Sequence, residues 1–149
     1  MAIKRVAVIG ASGYGGLQSL RLLQSHPNFE ISLLGGERSA GKRWSELCPF
    51  LPLPDDPLVE SPEPTRIAER ADVALLSLPN GLASGLVPGL LDRGVRVVDL
   101  SADYRYRSLD QWSSVYAQEA LSCKRTDADL CAEATYGLPE WNASAIATA

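Results

Sequence analysis

The stretch GASGYGG, residues 10–16, places four glycines between an apolar run, IKRVAVI (3–9), and a leucine-rich segment ending at residue 25. The run is rich in β-branched residues and predicts a strand, while leucines at 17, 20, 22 and 23 predict a helix over residues 14–25. A glycine turn that hands a strand to a helix limits the fold severely, because in a parallel sheet it lies at the carboxyl edge, where ligands bind. Gly10 suits the tight turn, Gly13 lets backbone approach a diphosphate, and Gly16 lets the helix pack close to the strand. Tyr14 and Gly15 fall in the first helical turn, where N–H groups and a partial positive charge collect, and Ser12 adds a hydroxyl donor. The spacing is G-x-x-G-x-x-G rather than the commoner G-x-G-x-x-G, so a glycine turn without a ligand remains the alternative.

The same alternation continues down the chain. His26-Pro27-Asn28 stops the helix, and FEISLLG (29–35) predicts a second strand. The proline-rich segment 48–65 excludes a long helix but admits a short strand around Leu58-Val59. Residues 64–70 predict a short helix, and DVALLSLP (72–79) a strand buried on both faces. GLASGLVPGLLDRG (81–94) predicts a helix with Pro88 as its awkward point, and VRVVDLS (95–101) another buried strand; beyond residue 106 the sequence becomes polar and irregular. Short parallel strands alternating with helices define an α/β protein with a Rossmann-type doubly wound sheet, and 149 residues suffice for one such domain.

Charge and cysteine content exclude several classes. A formal net charge of −4 and the absence of a Lys/Arg block argue against a nucleic-acid surface. No apolar run reaches membrane-spanning length, and the N-terminus enters a strand within three residues, which predicts a cytoplasmic chain without a signal peptide. Cys48, Cys123 and Cys131 lack C-x-x-C spacing, so neither a zinc site nor a disulfide is expected. Cys123 precedes Lys124-Arg125, neighbours that favour a thiolate, but no histidine stands nearby and it reads as a spare cysteine. His26, at a helix C-terminus, reads as structural, and Asp72, Asp99 and Asp103 form no obvious metal set.

The choice of dinucleotide rests on the end of the second strand. Glu30 stands twenty residues after Gly10, as an acidic ribose ligand would, but it opens its strand. A strand of that length spans roughly 17–20 Å, so the Glu30 carboxylate belongs at the opposite edge. The ligand edge carries GGERSAGKR (35–43), where Arg38 can pair with a 2′-phosphate, Ser39 can donate to it, and Lys42 or Arg43 can add charge. This favours NADP, with Glu37, able to accept from a free 2′-hydroxyl, as the argument for NAD.

GASGYGG, SLPNG (77–81), VVDLSADYR (97–105) and YGLPE (136–140), in this order, resemble the N-acetyl-γ-glutamyl-phosphate reductase family of arginine biosynthesis. The resemblance implies an NADP-binding domain over residues 1–149, with 136–149 beginning the connection to an α+β catalytic and dimerisation domain. It implies a small-molecule acyl phosphate, N-acetyl-glutamyl 5-phosphate, reduced to the semialdehyde with release of phosphate, and a homo-oligomeric full-length enzyme. That family's catalytic cysteine follows YGLPE in an Asn-Pro-Gly-Cys-Tyr type motif, with a histidine further on. Neither is in this sequence, so the chain is expected to be an N-terminal cofactor-binding portion, with no catalytic residue and inactive alone.

The resemblance also assigns Asn80 to the nicotinamide end, where a His often stands in the family, although Pro-Asn-Gly is equally an ordinary turn. Ser101 and Arg105 would hold the substrate phosphate, the alternative for Arg105 being an ion pair with Asp103 or Asp110. Tyr104 replaces the family's usual Phe, and Tyr136, Gly137 and Glu140 would lie near the active site. Two other readings stand beside this one, an aspartate-semialdehyde dehydrogenase type reductase fragment and a stand-alone dinucleotide-binding module.

Overall fold

The computed structural model describes residues 2–116 and 127–149; Cys123, Lys124 and Arg125 lie outside the described residues. Five strands, β1 (Lys4–Ile9), β2 (Phe29–Gly35), β3 (Val59–Glu60), β4 (Val73–Leu76) and β5 (Arg96–Asp99), form one parallel sheet in the order β3-β2-β1-β4-β5. The chain builds outward from β1 in one direction through β2 and β3, and in the other through β4 and β5. The order therefore reverses between β1 and β4, and loops on either side of that point diverge at the carboxyl ends.

Alternation along β1 sends Val6 and Val8 to one face and Ala7 and Ile9 to the other. Val6 and Val8 pack with Leu20 of α1 (Tyr14–Leu23), Leu34, Val59 and Trp44 of α2 (Trp44–Leu47). Ala7 and Ile9 pack with Ile67 of α3 (Pro64–Arg70), Leu76 and Leu90 of α4 (Val87–Leu91). Trp44 is fully buried, and its indole N–H donates to the Leu51 carbonyl at 2.7 Å, which anchors the proline-rich segment beneath the sheet. The strand predicted at 29–35 and the helix at 64–70 form over those residues.

Three expectations are corrected. Pro88 does not interrupt a helix over 81–94: it lies in the first turn of the short α4, where its missing N–H costs nothing, and a separate 3-10 turn covers Ala83–Gly85. The strand predicted at 95–101 is not buried on both faces. It is the short edge strand β5: α4 packs on one face, where Val97 joins the core, while on the other Val98 is 44% exposed, as is Leu100 just beyond the strand at 50%. The region beyond 106 is not irregular throughout, since it contains α5 (Leu109–Tyr116), α6 (Ala128–Glu133) and α7 (Pro139–Ile146). Trp112 and Cys131 anchor α5 and α6, whereas α7 buries no residue and leaves Trp141 85% exposed.

Candidate functional site

The glycine turn is held from three sides. Gly10 N–H donates to the Gly35 carbonyl at 2.8 Å, so β2 fixes one flank, and Ser77 N–H donates to the Ile9 carbonyl at 2.8 Å, so β4 fixes the other. Gly10 adopts φ +79°, and a Cβ there would stand 2.1 Å from the Ser77 carbonyl oxygen. From below, α1 presses so closely that a Cβ on Gly16 would stand 2.3 Å from the Gly10 carbonyl oxygen. These contacts aim the α1 N-terminus outward at the carboxyl edge.

That N-terminus is left open. Gly13 is its N-cap, no side chain caps it, and its first turn holds no acidic residue. Ser12, Gly13 and Tyr14 are exposed. Helix N-termini leave their first N–H groups without intrahelical partners, and among the described residues no carboxylate or hydroxyl takes them, so the turn suits an anion approaching from solvent.

At the end of β2 a 3-10 turn, Glu37–Ser39, presents the side chains read as selecting the dinucleotide. Arg38 is exposed, with no side-chain hydrogen bond or ion pair among the described residues. Glu37 accepts a hydrogen bond from Ser61 Oγ at 3.1 Å, which turns it toward the β3–α3 connection. Ser39 is 8% exposed, and its hydroxyl faces the Gly36 carbonyl at 3.4 Å rather than the open edge. Arg43 Nη1 donates to the Asp56 carbonyl at 3.2 Å, while Lys42 is exposed. Arg38 and Lys42 are thus the cations left for a ligand here. Glu30 lies opposite Arg5, at the other end of the strands.

The loops after β4 and β5 are tied to each other. Asn80 Oδ1 accepts from Ala102 N–H at 3.1 Å. In return the fully buried Asp103 carboxylate accepts from Gly81 N–H at 2.6 Å and Ser84 N–H at 3.2 Å. Ser101 folds back on its own strand: its hydroxyl donates to Asp99 Oδ2 at 2.8 Å and accepts from Asp103 N–H at 3.1 Å. Arg105 pairs with neither Asp103 nor Asp110. Its guanidinium donates to Tyr116 Oη at 2.7 Å and stacks over that ring at 5.7 Å. Tyr104 Oη donates to Asp127 Oδ2 at 2.6 Å, so the hydroxyl absent from a Phe has a partner here.

Ser101, Arg105, Tyr136 and Gly137 line one cavity of about 720 Å³ beside β5, with Val97 and Leu100 on its floor. Glu140 and residues 10–16 do not line it, so the structure groups the residues into two places. One is the glycine turn with Arg38, and the other is this cavity. Asp103 is the residue that sequence reading missed as part of the site. Its signal was weak, a carboxylate in a Ser-Ala-Asp turn, where Asp commonly accepts backbone N–H bonds. Among the described residues there is no group of three or more potential metal ligands, and no helix is long and apolar enough to cross a membrane.

Comparison with known proteins agrees with this geometry. A profile described as "Semialdehyde dehydrogenase, NAD binding domain" matches residues 5–149. The N-acetyl-gamma-glutamyl-phosphate reductase of Synechococcus sp. (strain CC9605) is 71% identical over 97% of this chain, and that of Prochlorococcus marinus (strain MIT 9313) is 67% identical over the same share. The chain spans 41% of the length of each. Among solved structures, aspartate semialdehyde dehydrogenase with NADP from Candida albicans superposes with a TM-score of 0.62 at 31% identity, over 70% of this chain and 31% of that one. Aspartate semialdehyde dehydrogenase II from Vibrio cholerae, complexed with ASA, shares the fold with a TM-score of 0.56 at 21% identity, over 80% of this chain and 37% of that one. The chain belongs to the semialdehyde dehydrogenase NAD-binding domain family.

Proposed function

We propose that this member of the semialdehyde dehydrogenase family is the NADP-binding portion of an N-acetyl-γ-glutamyl-phosphate reductase. The observation that carries the cofactor reading is the pairing, at one edge of the sheet, of an uncapped α1 N-terminus with an Arg38 guanidinium that has no partner among the described residues. The Ser12, Tyr14 and Gly15 N–H groups would hold the diphosphate, the Gly13 N–H being taken by the Gly10 carbonyl at 3.0 Å, and Arg38, with Lys42, would hold a 2′-phosphate. Glu37, bonded to Ser61, is turned from the role that would favour NAD. When bound, the dinucleotide supplies a hydride for reduction of an acyl carbon.

The chain's own residues then divide the work. The glycine turn binds and orients, and the β4 and β5 loops shape the site around the reacting end. Arg105 and Ser101 recognise the phosphate of a small acyl-phosphate substrate in the cavity beside β5, Arg105 exchanging its Tyr116 contact, and Ser101 its Asp99 bond, for the anion. Residues 136–149 lead toward a catalytic domain, a reading supported by the exposed Trp141 and by the greater length of the relatives. An aspartate-semialdehyde type activity is the second reading, supported by the Candida albicans likeness. The order of DLSADYR and YGLPE and the 71% identity favour the first.

Isothermal titration with NADPH and NADH tests the cofactor reading. The expected result is a preference for NADPH of about tenfold or more, equivalent to about 1.4 kcal/mol. Equal affinity for the two, or tighter NADH, contradicts it.

A further inference from the structure

The loops after β4 and β5 leave neighbouring strands on the same side of the point where the strand order reverses, and polar groups join them beyond the sheet. Two reciprocal ties do so. Asn80, in the first loop, accepts the Ala102 N–H of the second at 3.1 Å. Asp103, in the second, accepts the Gly81 and Ser84 N–H groups of the first at 2.6 and 3.2 Å. Asp103 is fully buried, and the Pro-Asn-Gly turn, with Gly81 at φ +90° and Leu82 N–H donating to the Pro79 carbonyl at 3.2 Å, presents its Gly81 N–H to that carboxylate, so the turn is fixed to the β5 loop as well as by its own bond. The β4 loop starts beside the α1 N-terminus, because a Cβ on Gly15 would stand 2.5 Å from Ser77 Oγ.

We infer that Asp103 and Asn80 are positioning residues, which lock the β4 and β5 loops into one unit that shapes the nicotinamide half of the cofactor site. This rests on the dinucleotide reading given above. Charge-assisted bonds from a buried carboxylate to two backbone donors are strong and directional, and a buried donor left without an acceptor is costly. The adenosine half depends on a different set, residues 12–15 and Arg38, which make none of the Gly81 and Ser84 bonds that Asp103 holds. The inference therefore separates the two ends of one ligand.

The test compares NADPH with 2′,5′-ADP, which carries the adenosine and 2′-phosphate but no nicotinamide, on the wild-type chain and on Asp103→Asn. Asparagine is nearly isosteric but keeps one acceptor where two N–H groups need one each. The expected result is NADPH affinity weakened by about tenfold with 2′,5′-ADP affinity unchanged within about twofold. Equal weakening of both ligands, or of neither, overturns the inference while leaving the dinucleotide reading intact. A wild-type chain that binds neither ligand removes both together.

Because a buried substitution can unfold the chain, amide hydrogen exchange on the wild type gives an independent arm. If the loops form one unit, the Gly81, Ser84 and Ala102 amides exchange through a common opening, with matching protection that rises with NADPH but not with 2′,5′-ADP. Unmatched protection among the three, or an equal rise with both ligands, overturns the inference.

Discussion

The two ends of the parallel sheet are finished differently. At the amino end, Arg5 N–H donates to Asp72 Oδ2 at 2.8 Å, the Arg5 guanidinium pairs with Asp72 Oδ1 at 3.1 Å and also reaches the Glu69 carbonyl, and Asp72 N–H returns to the Arg5 carbonyl at 2.9 Å. Arg96 N–H and Lys4 N–H close the same end on Asp72 and Asn28 carbonyls. At the carboxyl end of β1 and β2, a helix begins without a side-chain cap and Arg38 stands without a partner among the described residues. At the amino end Arg5 and Asp72 satisfy each other, whereas at the carboxyl end of β1 and β2 the α1 N–H groups and the Arg38 guanidinium are left for a ligand among the described residues. What marks the binding edge here is an open helix N-terminus and an unpaired cation at the same place.

The largest effect expected from breaking this contrast lies in the turn itself. Gly16→Ala forces a methyl to 2.3 Å from the Gly10 carbonyl oxygen, a backbone atom that cannot yield. A loss of about 3 kcal/mol is expected in urea unfolding, and an unchanged midpoint would show that α1 does not need this approach. Arg38→Ala removes no side-chain hydrogen bond or ion pair among the described residues, so stability should change by less than about 0.5 kcal/mol. Calorimetry should show the NADPH preference falling about tenfold.

A smaller effect follows from Ser61→Ala, which removes the 3.1 Å bond holding Glu37 aside. A freed carboxylate can accept from a ribose 2′-hydroxyl, so NADH affinity should rise about threefold, within the usual worth of one hydrogen bond. The amino end supplies the smallest expected effect on the ligand, namely none. Asp72→Asn should leave NADPH affinity unchanged and alter only the pH dependence of stability.

The sign of that dependence follows from the Asp72 environment. Hydrogen bonds from the Arg5 backbone and side chain lower the Asp72 pKa in the fold. A lowered folded pKa contributes stability above the ordinary carboxylate value of about 4, and that stability is lost as pH falls through the folded pKa. Glu60 acts in the same direction: burial alone would raise its pKa, but Arg66 and Arg70 overcome that and lower it. Thermal unfolding at neutral pH should therefore distinguish Asp72→Asn from the wild type, and the difference should shrink below pH 4. A difference that persisted in acid would assign the effect to something other than ionised Asp72.

How much of this was readable beforehand depended on the range of the interactions involved. The strand–glycine–helix unit, β2 and α3 were legible because β-branched runs, glycines and a first-turn proline act locally. Pro88 misled because a proline read as an interruption of a long helix can instead begin a short one. β5 read as buried because its residues are apolar, yet its place at the edge of the sheet is a tertiary fact that hydrophobicity does not encode. Ser39 and Glu37 were assigned by position along the chain, and their orientations are set by Gly36 and Ser61. Asp103 was the least legible, since its N–H partners at Gly81 and Ser84 lie 22 and 19 residues away and no spacing rule connects them.

The contrast between the two ends is tested most directly by a ¹⁵N–¹H NMR titration of the chain with NADPH. The account predicts shifts of the Ser12, Gly13, Tyr14, Gly15 and Arg38 amides, with Arg5 and Asp72 unmoved. Saturable shifts centred on Arg5 and Asp72, or binding that leaves Gly13 and Gly15 unchanged, would contradict it.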